Sequence, residues 1–314
     1  MERRTFLKNS IVAGTAVLGA GSLAFNEVKE AEDQAAKDQF RFSIVVGDSD
    51  INPALLAPGW DFAEIPNLLF VKPLTPKATW EATKARIKSW SLPPLYAASH
   101  FFATFDQPEE GRIPFCGPDA DWDLAEFWTM RSFERMSELG IINPGVYGDF
   151  FAIPEGYSKT KGTDQCLRFL SMAGDVAKKH KMNLVIEPNG HPQSLIRLYT
   201  DGIEMLKRLD HPDVKIMADT NYFIAGNWPI EDIKKAPELL LHTHTAGIKG
   251  QPGVGDMTAY HTKMFQVLKS IGYTKTVGIA CPWVSTKGGA MDFKYESGKS
   301  LKYLQDLRAK VYAG

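Results

Sequence analysis

The sequence has few cysteines, almost no net charge and no long apolar run. Each of these features argues against one class of protein. The 314 residues include only three cysteines, which are far apart and odd in number, so neither a disulfide framework nor a zinc finger is indicated. The formal net charge is -1, whereas a nucleic-acid partner normally requires a basic surface. What remains is an ordinary globular composition, 44% hydrophobic and 23% charged, which suffices for a sizeable core.

The first 25 residues are predicted to be an export signal. Residues 2–8 read ERRTFLK, which resembles a twin-arginine signal, and an apolar stretch rich in Gly and Ala follows from Ile11 to Phe25. That stretch is shorter and less apolar than the about 20 residues of a membrane span. Residues 26–39 are charged and almost free of large apolar side chains, which predicts a flexible linker. We therefore expect a mature domain over 40–314 that is exported to the periplasm. The alternatives are retention by an uncleaved signal and an ordinary basic N-terminus on a cytoplasmic helix.

Short runs rich in β-forming residues alternate with helical patterns from residue 40 onward. The predicted strands are FRFSIVVG (40–47), DFAEI (61–65), PLYAAS (94–99), 141–147, NLVIE (183–187), VKIMAD (214–219), LLLHTH (239–244) and TVGIAC (276–281). The predicted helices cover 77–90, 121–139, 163–180 and 256–271. Eight such units in about 270 residues match a single-domain α/β fold, the (β/α)8 TIM barrel. A doubly wound open sheet is the alternative, but no GxGxxG or P-loop follows any of these strands.

In such barrels the active site lies at the carboxyl ends of the strands, and several predicted strands carry acidic residues or histidines there. Glu187, Asp219 and His244 lie at the same level of three successive strands, so two carboxylates and an imidazole converge. This set predicts a site for Mn²⁺, Mg²⁺, Co²⁺ or Zn²⁺. Taken singly, each residue also fits a purely structural role, as a paired buried carboxylate, a helix cap or a core histidine.

The stretches VIEPNG, MADTNYF, LLHTHTAG and PGVGD, in this order, resemble the xylose-isomerase-like superfamily of sugar isomerases and epimerases, and the resemblance spans residues 40–310. It implies a (β/α)8 barrel in which the sugar epimerases hold Mn²⁺ or a similar metal with four residues. Three of them correspond to Glu187, Asp219 and His244. The fourth, a glutamate after strand eight, corresponds to Ala280. A histidine that contacts the sugar after strand six is replaced by Tyr222.

The chemistry that the resemblance implies is proton transfer next to a carbonyl group. A metal polarises the sugar oxygens while a carboxylate acts as general base. In 3-epimerisation the glutamates after strands five and eight serve as two bases. The change to Ala280 therefore favours a one-base reaction, isomerisation or β-elimination, with Glu187 as both ligand and base.

The expected partner is a small, non-phosphorylated carbohydrate. The segment 148–154 after strand four contains no arginine, the usual bidentate clamp for phosphate. The candidate sugar contacts are Glu64, His100, Tyr222, His242 and Trp283. A non-catalytic carbohydrate-binding relative is the main alternative, because one ligand and one histidine of the family pattern are missing. A DNA-repair nuclease is a weaker alternative, since it needs many more metal ligands and would not be exported.

Overall fold

The computed structural model describes residues 39–46, 53–66, 70–73, 75–98 and 115–313. Within these ranges eight parallel strands close into a barrel, each paired with the next and β8 with β1. The strands are β1 (Arg41–Val45), β2 (Phe62–Pro66), β3 (Pro94–Ala98), β4 (Asn143–Tyr147), β5 (Leu184–Glu187), β6 (Val214–Asp219), β7 (Leu240–Thr245) and β8 (Thr276–Ile279). The predicted (β/α)8 TIM barrel is confirmed. The predicted signal peptide 1–25 lies outside the described residues, as does the predicted linker 26–39 except its last residue.

Helices follow the strands and cover the outside of the barrel. The described α-helices are α1 (Lys77–Lys88), α2 (Trp122–Leu139), α3 (Lys159–Lys179), α4 (Tyr199–Leu209), α5 (Thr220–Ala225), α6 (Thr258–Ser270) and α7 (Phe293–Ala313). Short 3-10 helices cover Pro53–Leu55, Gly148–Phe151 and Ile230–Lys235. None of the helices in the described part of the chain combines the length and the hydropathy needed to cross a membrane.

Local capping sets the helix ends. α2 begins after Asp121, whose Oδ1 accepts a hydrogen bond from the Leu124 amide at 3.0 Å, and ends at Gly140 with a φ of 80°. α3 begins four residues before the predicted start, because Ser158 caps it and accepts from the Lys161 amide. The periodic apolar stripe from which the helix was predicted is thus preceded by a more exposed first turn.

Side chains that point into the barrel form its central layer. Tyr96, Val185 and Met217 are completely buried and pack together there. The Tyr96 ring stacks on His242 with ring centroids 4.5 Å apart. Gly145 of β4 makes room for this tyrosine, since a Cβ there would lie 2.1 Å from the Tyr96 hydroxyl. Because alternate residues of a strand share a face, the residues two positions later in β5 and β6, at the carboxyl ends of the strands, also point inward.

Candidate active site

Three residues predicted as metal ligands meet at the carboxyl ends of neighbouring strands. Glu187 is the last residue of β5 and Asp219 the last of β6, and Asp219 pairs directly with His244 of β7. His244 Nδ1 lies 3.9 Å from Glu187 Oε1 and 3.9 Å from Asp219 Oδ2. All three side chains are buried. The structure therefore brings together the three side chains that the strand-end pattern singled out.

Burial dominates the electrostatics of this cluster. It raises the pKa of Glu187 well above its ordinary value, and the neighbouring Asp219 carboxylate adds to the effect. It also raises the pKa of Asp219. Burial alone would lower the pKa of His244, but the carboxylates of Glu64, Glu187 and Asp219 outweigh it and raise that pKa to about 9. Without a bound cation, the cluster therefore retains protons at neutral pH.

The opposite edge of the His244 ring faces Glu64 of β2. His244 Nε2 donates to Glu64 Oε2 at 2.7 Å, and the Ser43 hydroxyl of β1 donates to Oε1. His242 Nε2 lies 3.0 Å from the same Oε1 but is not aligned to donate to it. Glu64 and His242 were predicted as sugar contacts. The structure places both at 0% exposure, with Glu64 hydrogen-bonded to His244 and His242 close to the same carboxylate.

Charge and burial act in opposite directions on these two groups. Burial would raise the pKa of Glu64, but His242 and His244 hold it below its usual range, so the group is a carboxylate. Burial lowers the pKa of His242 and keeps that ring neutral at neutral pH. Glu64 is therefore a buried negative charge whose main partner is His244.

Of the remaining predicted sugar contacts, Tyr222 lies near the cluster, whereas the one contact given for Trp283 is with another aromatic residue after β8. Tyr222 is in α5, directly after Asp219, and its pKa is raised by burial and then by the charges of Glu187 and Asp219. Trp283 follows β8, is partly exposed, and packs edge-on against Phe293 with ring centroids 6.3 Å apart. His100 lies outside the described residues.

Ala280 occupies the position where the resemblance implies a fourth ligand. It follows β8, is partly exposed, and its carbonyl accepts from Asn221 Nδ2 at 3.4 Å. The backbone N–H of Asn221 in turn donates to Asp219 Oδ1 at 2.8 Å. Ala280 is thus linked to the cluster through its carbonyl and Asn221, and it supplies no carboxylate to it.

Several residues around the cluster were not predicted from the sequence. Asn189 Nδ2 donates to Asp149 Oδ1 at 2.9 Å and so joins the segments after β5 and β4. The Ser43 hydroxyl donates a hydrogen bond to the Glu64 carboxylate. Gly278 leaves free the space that this carboxylate occupies, because a side chain there would overlap with it. Ser43 had a detectable signal, because its hydroxyl stands between the apolar Phe42 and Ile44 in the buried part of β1. Gly278 had none, since its role depends on a side chain from another strand.

The residues present fit a divalent cation. Glu187 Oε2 is buried and has no hydrogen-bond partner among the described residues. His244 Nδ1 is directed at two carboxylates, while its other nitrogen is bound by a carboxylate behind it, which is the usual arrangement of a metal-ligating histidine. Glu64, His242 and His244 also lie close enough to hold a metal, but hydrogen bonds from Ser43 and His244 already engage that carboxylate.

Comparison with known proteins agrees with this fold. The family model of the xylose isomerase-like TIM barrel matches residues 54–307. The chain belongs to this family. A comparison with curated proteins gave no significant match.

Solved structures with the same fold include several sugar epimerases. The apo 3-keto-D-glucoside 4-epimerase YcjR from E. coli is 17% identical, with a TM-score of 0.59 over 88% of this chain and 100% of that one. A D-allulose 3-epimerase from Methylomonas sp. in complex with D-allulose is 13% identical, with a TM-score of 0.65 over 85% and 97%. The IolI protein with a bound zinc atom is 15% identical, with a TM-score of 0.61 over 87% and 98%. At these identities the likeness is one of fold.

Proposed function

We propose that this member of the xylose isomerase-like family is a divalent-metal-dependent enzyme that moves a proton next to the carbonyl group of a small, non-phosphorylated sugar or keto-sugar. The observation that carries the proposal is the meeting of Glu187, Asp219 and His244 Nδ1 in one buried cluster. Two carboxylates and an imidazole at the carboxyl ends of barrel strands are suited to bind both a cation and a polar substrate.

The three residues Glu187, Asp219 and His244 would hold the metal. When bound, a divalent cation polarises substrate oxygens and offsets the negative charge that develops on them. Mn²⁺ is our first choice and Mg²⁺, Co²⁺ or Zn²⁺ are alternatives; the presence of zinc in the IolI structure agrees with this range. The buried carboxylates and the ring of His244 must give up their protons to bind it.

Glu187 is the base in this proposal. Its Oε1 faces His244, while Oε2 has no hydrogen-bond partner among the described residues and is free to accept a proton from a carbon atom. In the metal-free cluster burial raises the pKa of Glu187 well above its ordinary value, and a bound cation would displace that proton and leave the carboxylate form that a base requires.

Other residues near the strand ends limit the type of reaction and the type of substrate. Ala280 supplies no carboxylate, so a mechanism with two glutamates on opposite faces of the substrate is not available, and isomerisation or β-elimination by one base is favoured. The 3-10 helix at Gly148–Phe151 and the residues to Pro154 provide no arginine, which agrees with a substrate lacking phosphate. Tyr222, which lies near the charges of Glu187 and Asp219, is our first candidate for a sugar contact, and Trp283 after β8 is the second.

The first test is elemental analysis of protein purified without chelators or a metal-affinity column. Near-stoichiometric Mn, Co, Zn or Mg that is lost in Asp219→Ala supports the proposal. Incubation of loaded protein with keto-sugars in deuterated water then detects proton exchange at the carbon next to the carbonyl. Glu187→Gln should lose this exchange, whereas the matched change at the exposed Glu155, Glu155→Gln, should retain it.

A second candidate function is carbohydrate binding without catalysis. It is favoured by one observation, the replacement of the fourth ligand by Ala280 on the side of the cluster next to β8. A chain that takes up no metal even after loading at neutral pH, yet binds a sugar in calorimetry, would support this function over the enzyme.

Export by the twin-arginine route to the periplasm also remains a proposal. It rests on the ERRTFLK run at residues 2–8 and the apolar stretch after it. Replacing both arginines, Arg3 and Arg4, by lysine should leave the protein in the cytoplasm, and cell fractionation measures this. Unchanged periplasmic recovery would contradict the proposal.

A further inference from the structure

The two nitrogens of His244 face two different groups. Nδ1 is directed at Glu187 Oε1 and Asp219 Oδ2, both at 3.9 Å. Nε2 donates to Glu64 Oε2 at 2.7 Å. A neutral imidazole carries one proton and one lone pair, so a proton fixed on Nε2 leaves the lone pair on Nδ1, directed at the two carboxylates.

The Glu64 carboxylate is itself held in place. Its Oε1 accepts from the Ser43 hydroxyl and lies 3.0 Å from His242 Nε2, which leaves Oε2 for His244. The His242 ring is fixed by stacking on Tyr96, with ring centroids 4.5 Å apart. Glu64, Tyr96 and His242 are all at 0% exposure, so water does not compete for these contacts.

Gly278 of β8 provides the space for this carboxylate. It pairs directly with His244 in the sheet, and a Cβ built on it would lie 2.1 Å from Glu64 Oε1 and 3.0 Å from His244 Cδ2. Any side chain at this position would therefore displace the carboxylate from the histidine. The buried position of Glu64 in β2 therefore depends on a glycine at position 278 of β8.

We propose that Glu64 is a positioning residue, which Ser43 and Gly278 keep against His244 so that Nδ1 of that histidine is presented to the metal. The inference rests on the proposed function, because it concerns the same metal site. It assigns Glu64 a role behind the ligand shell and removes it from the residues that contact sugar. A carboxylate behind a ligating histidine fixes the ring orientation and raises its basicity.

The direct test is the tautomer of His244. ¹⁵N NMR of histidine-labelled, metal-free protein at alkaline pH, where the ring is neutral, reports which nitrogen carries the proton, and His244→Gln assigns the signal. We expect the proton on Nε2 in the wild-type protein. A proton on Nδ1, or an even mixture, would overturn the proposal without the need for any Glu64 variant.

Two variants test the consequence for binding. Glu64→Gln keeps the shape but lets the amide either accept from or donate to His244, and Gly278→Ala keeps the acid but displaces it. Each should weaken Mn²⁺ binding by about 10–100-fold and give a mixed tautomer. The matched control is Gly174→Ala in α3, whose Cβ would lie 2.7 Å from Val214 Cγ2 at the amino end of β6. It should lower stability and leave Mn²⁺ affinity unchanged.

The outcomes separate the two proposals. Unchanged Mn²⁺ affinity and tautomer in folded Glu64→Gln and Gly278→Ala would overturn the positioning role while leaving the metal site intact. A wild-type protein that binds no Mn²⁺ or Zn²⁺ would contradict the proposed function, and the tautomer of the metal-free protein would still decide whether Glu64 sets the histidine.

Discussion

At the scale of single residues, the cluster is costly to form without a cation. Glu187 and Asp219 are taken out of water and placed near each other, and burial raises the pKa of both carboxyl groups. His244 offsets part of this cost, and its own pKa rises to about 9 because three carboxylates surround it. A divalent cation would replace the protons that these groups otherwise keep.

The first prediction is therefore that metal binding releases protons. At neutral pH we expect uptake of Mn²⁺ to release about two protons, one from His244 and one from the carboxyl pair. Calorimetry in buffers of different ionisation enthalpy measures this number, and the apparent affinity should rise with pH up to about the pKa of His244. Binding that releases no protons and is independent of pH would contradict the assignment of these ligands.

The second prediction concerns the missing fourth ligand. Ala280→Glu places a carboxylate at a partly exposed position directly after β8, where the resemblance implies a fourth ligand. We expect Mn²⁺ affinity to increase on the order of tenfold, about 1.4 kcal/mol. Ala280→Gln is the control, because it has the same size without the charge. Equal affinities of the two variants would show that position 280 does not reach the metal.

At the scale of secondary structure, strand positions were predictable and their cross-barrel partners were not. Glu187 and Asp219 are the last residues of strands that have clear apolar runs. Their positions at the carboxyl ends of the barrel strands could therefore be predicted from the sequence. β4 was less evident because Pro144 lies within it, and in the structure it still pairs with β3 and β5. The contact of Glu64 with His244 joins residues 180 positions apart on strands that are not neighbours, and no local pattern indicates it.

The buried face of a helix is also only partly predictable from the sequence. The three apolar residues Leu124, Phe127 and Trp128 of α2 are close in sequence, yet Trp128 is completely buried while Phe127 is 53% exposed. Periodicity locates the helix, but which part of the apolar arc faces the barrel depends on how neighbouring helices pack. The helix end at Gly140, by contrast, follows from local chemistry alone.

The third prediction tests that helix end. Gly140 has a φ of 80°, and a Cβ there would meet no atom within 4 Å, so only backbone strain opposes a side chain. Gly140→Ala should lower the free energy of unfolding by about 1 kcal/mol. Urea denaturation measures the change, and Gly140→Asn should lose less, since Asn tolerates this conformation better. An unchanged midpoint for Gly140→Ala would contradict the prediction.

At the scale of the whole molecule, closure of the barrel is what assembles the site. Because β8 pairs with β1, Ser43, Glu64 and Gly278 from three strands converge on His244 from a fourth. The ligands come from β5, β6 and β7, so a bound cation would tie one side of the barrel together. Any ligand that binds only the folded state adds to its stability, by about 2.7 kcal/mol when present at 100 times its Kd.

The last prediction follows from the protons that the metal-free barrel retains. The pKa of Glu187 is higher in the folded state than its ordinary value of 4.5, so its contribution to stability is lost as pH rises above that value. His244 acts in the same direction, because its pKa is raised from 6.5 to about 9. Two groups act in the opposite sense because folding lowers their pKa. The contribution of Glu64 is lost only on strong acidification, and that of His242 is lost as pH falls below about 6.5.

Metal-free protein should therefore become less stable from about pH 6.5 to about pH 9, by roughly 1.4 kcal/mol for each unit by which folding raises a pKa. Glu187→Gln should show a weaker pH dependence and exceed the wild-type stability at the alkaline end. Adding Mn²⁺ should reverse that order, since it stabilises the wild-type protein and hardly affects the variant. Urea unfolding at several pH values, with and without Mn²⁺, measures both effects. A wild-type stability that is flat over this range would mean that Glu187 and His244 do not carry the charges assigned to them.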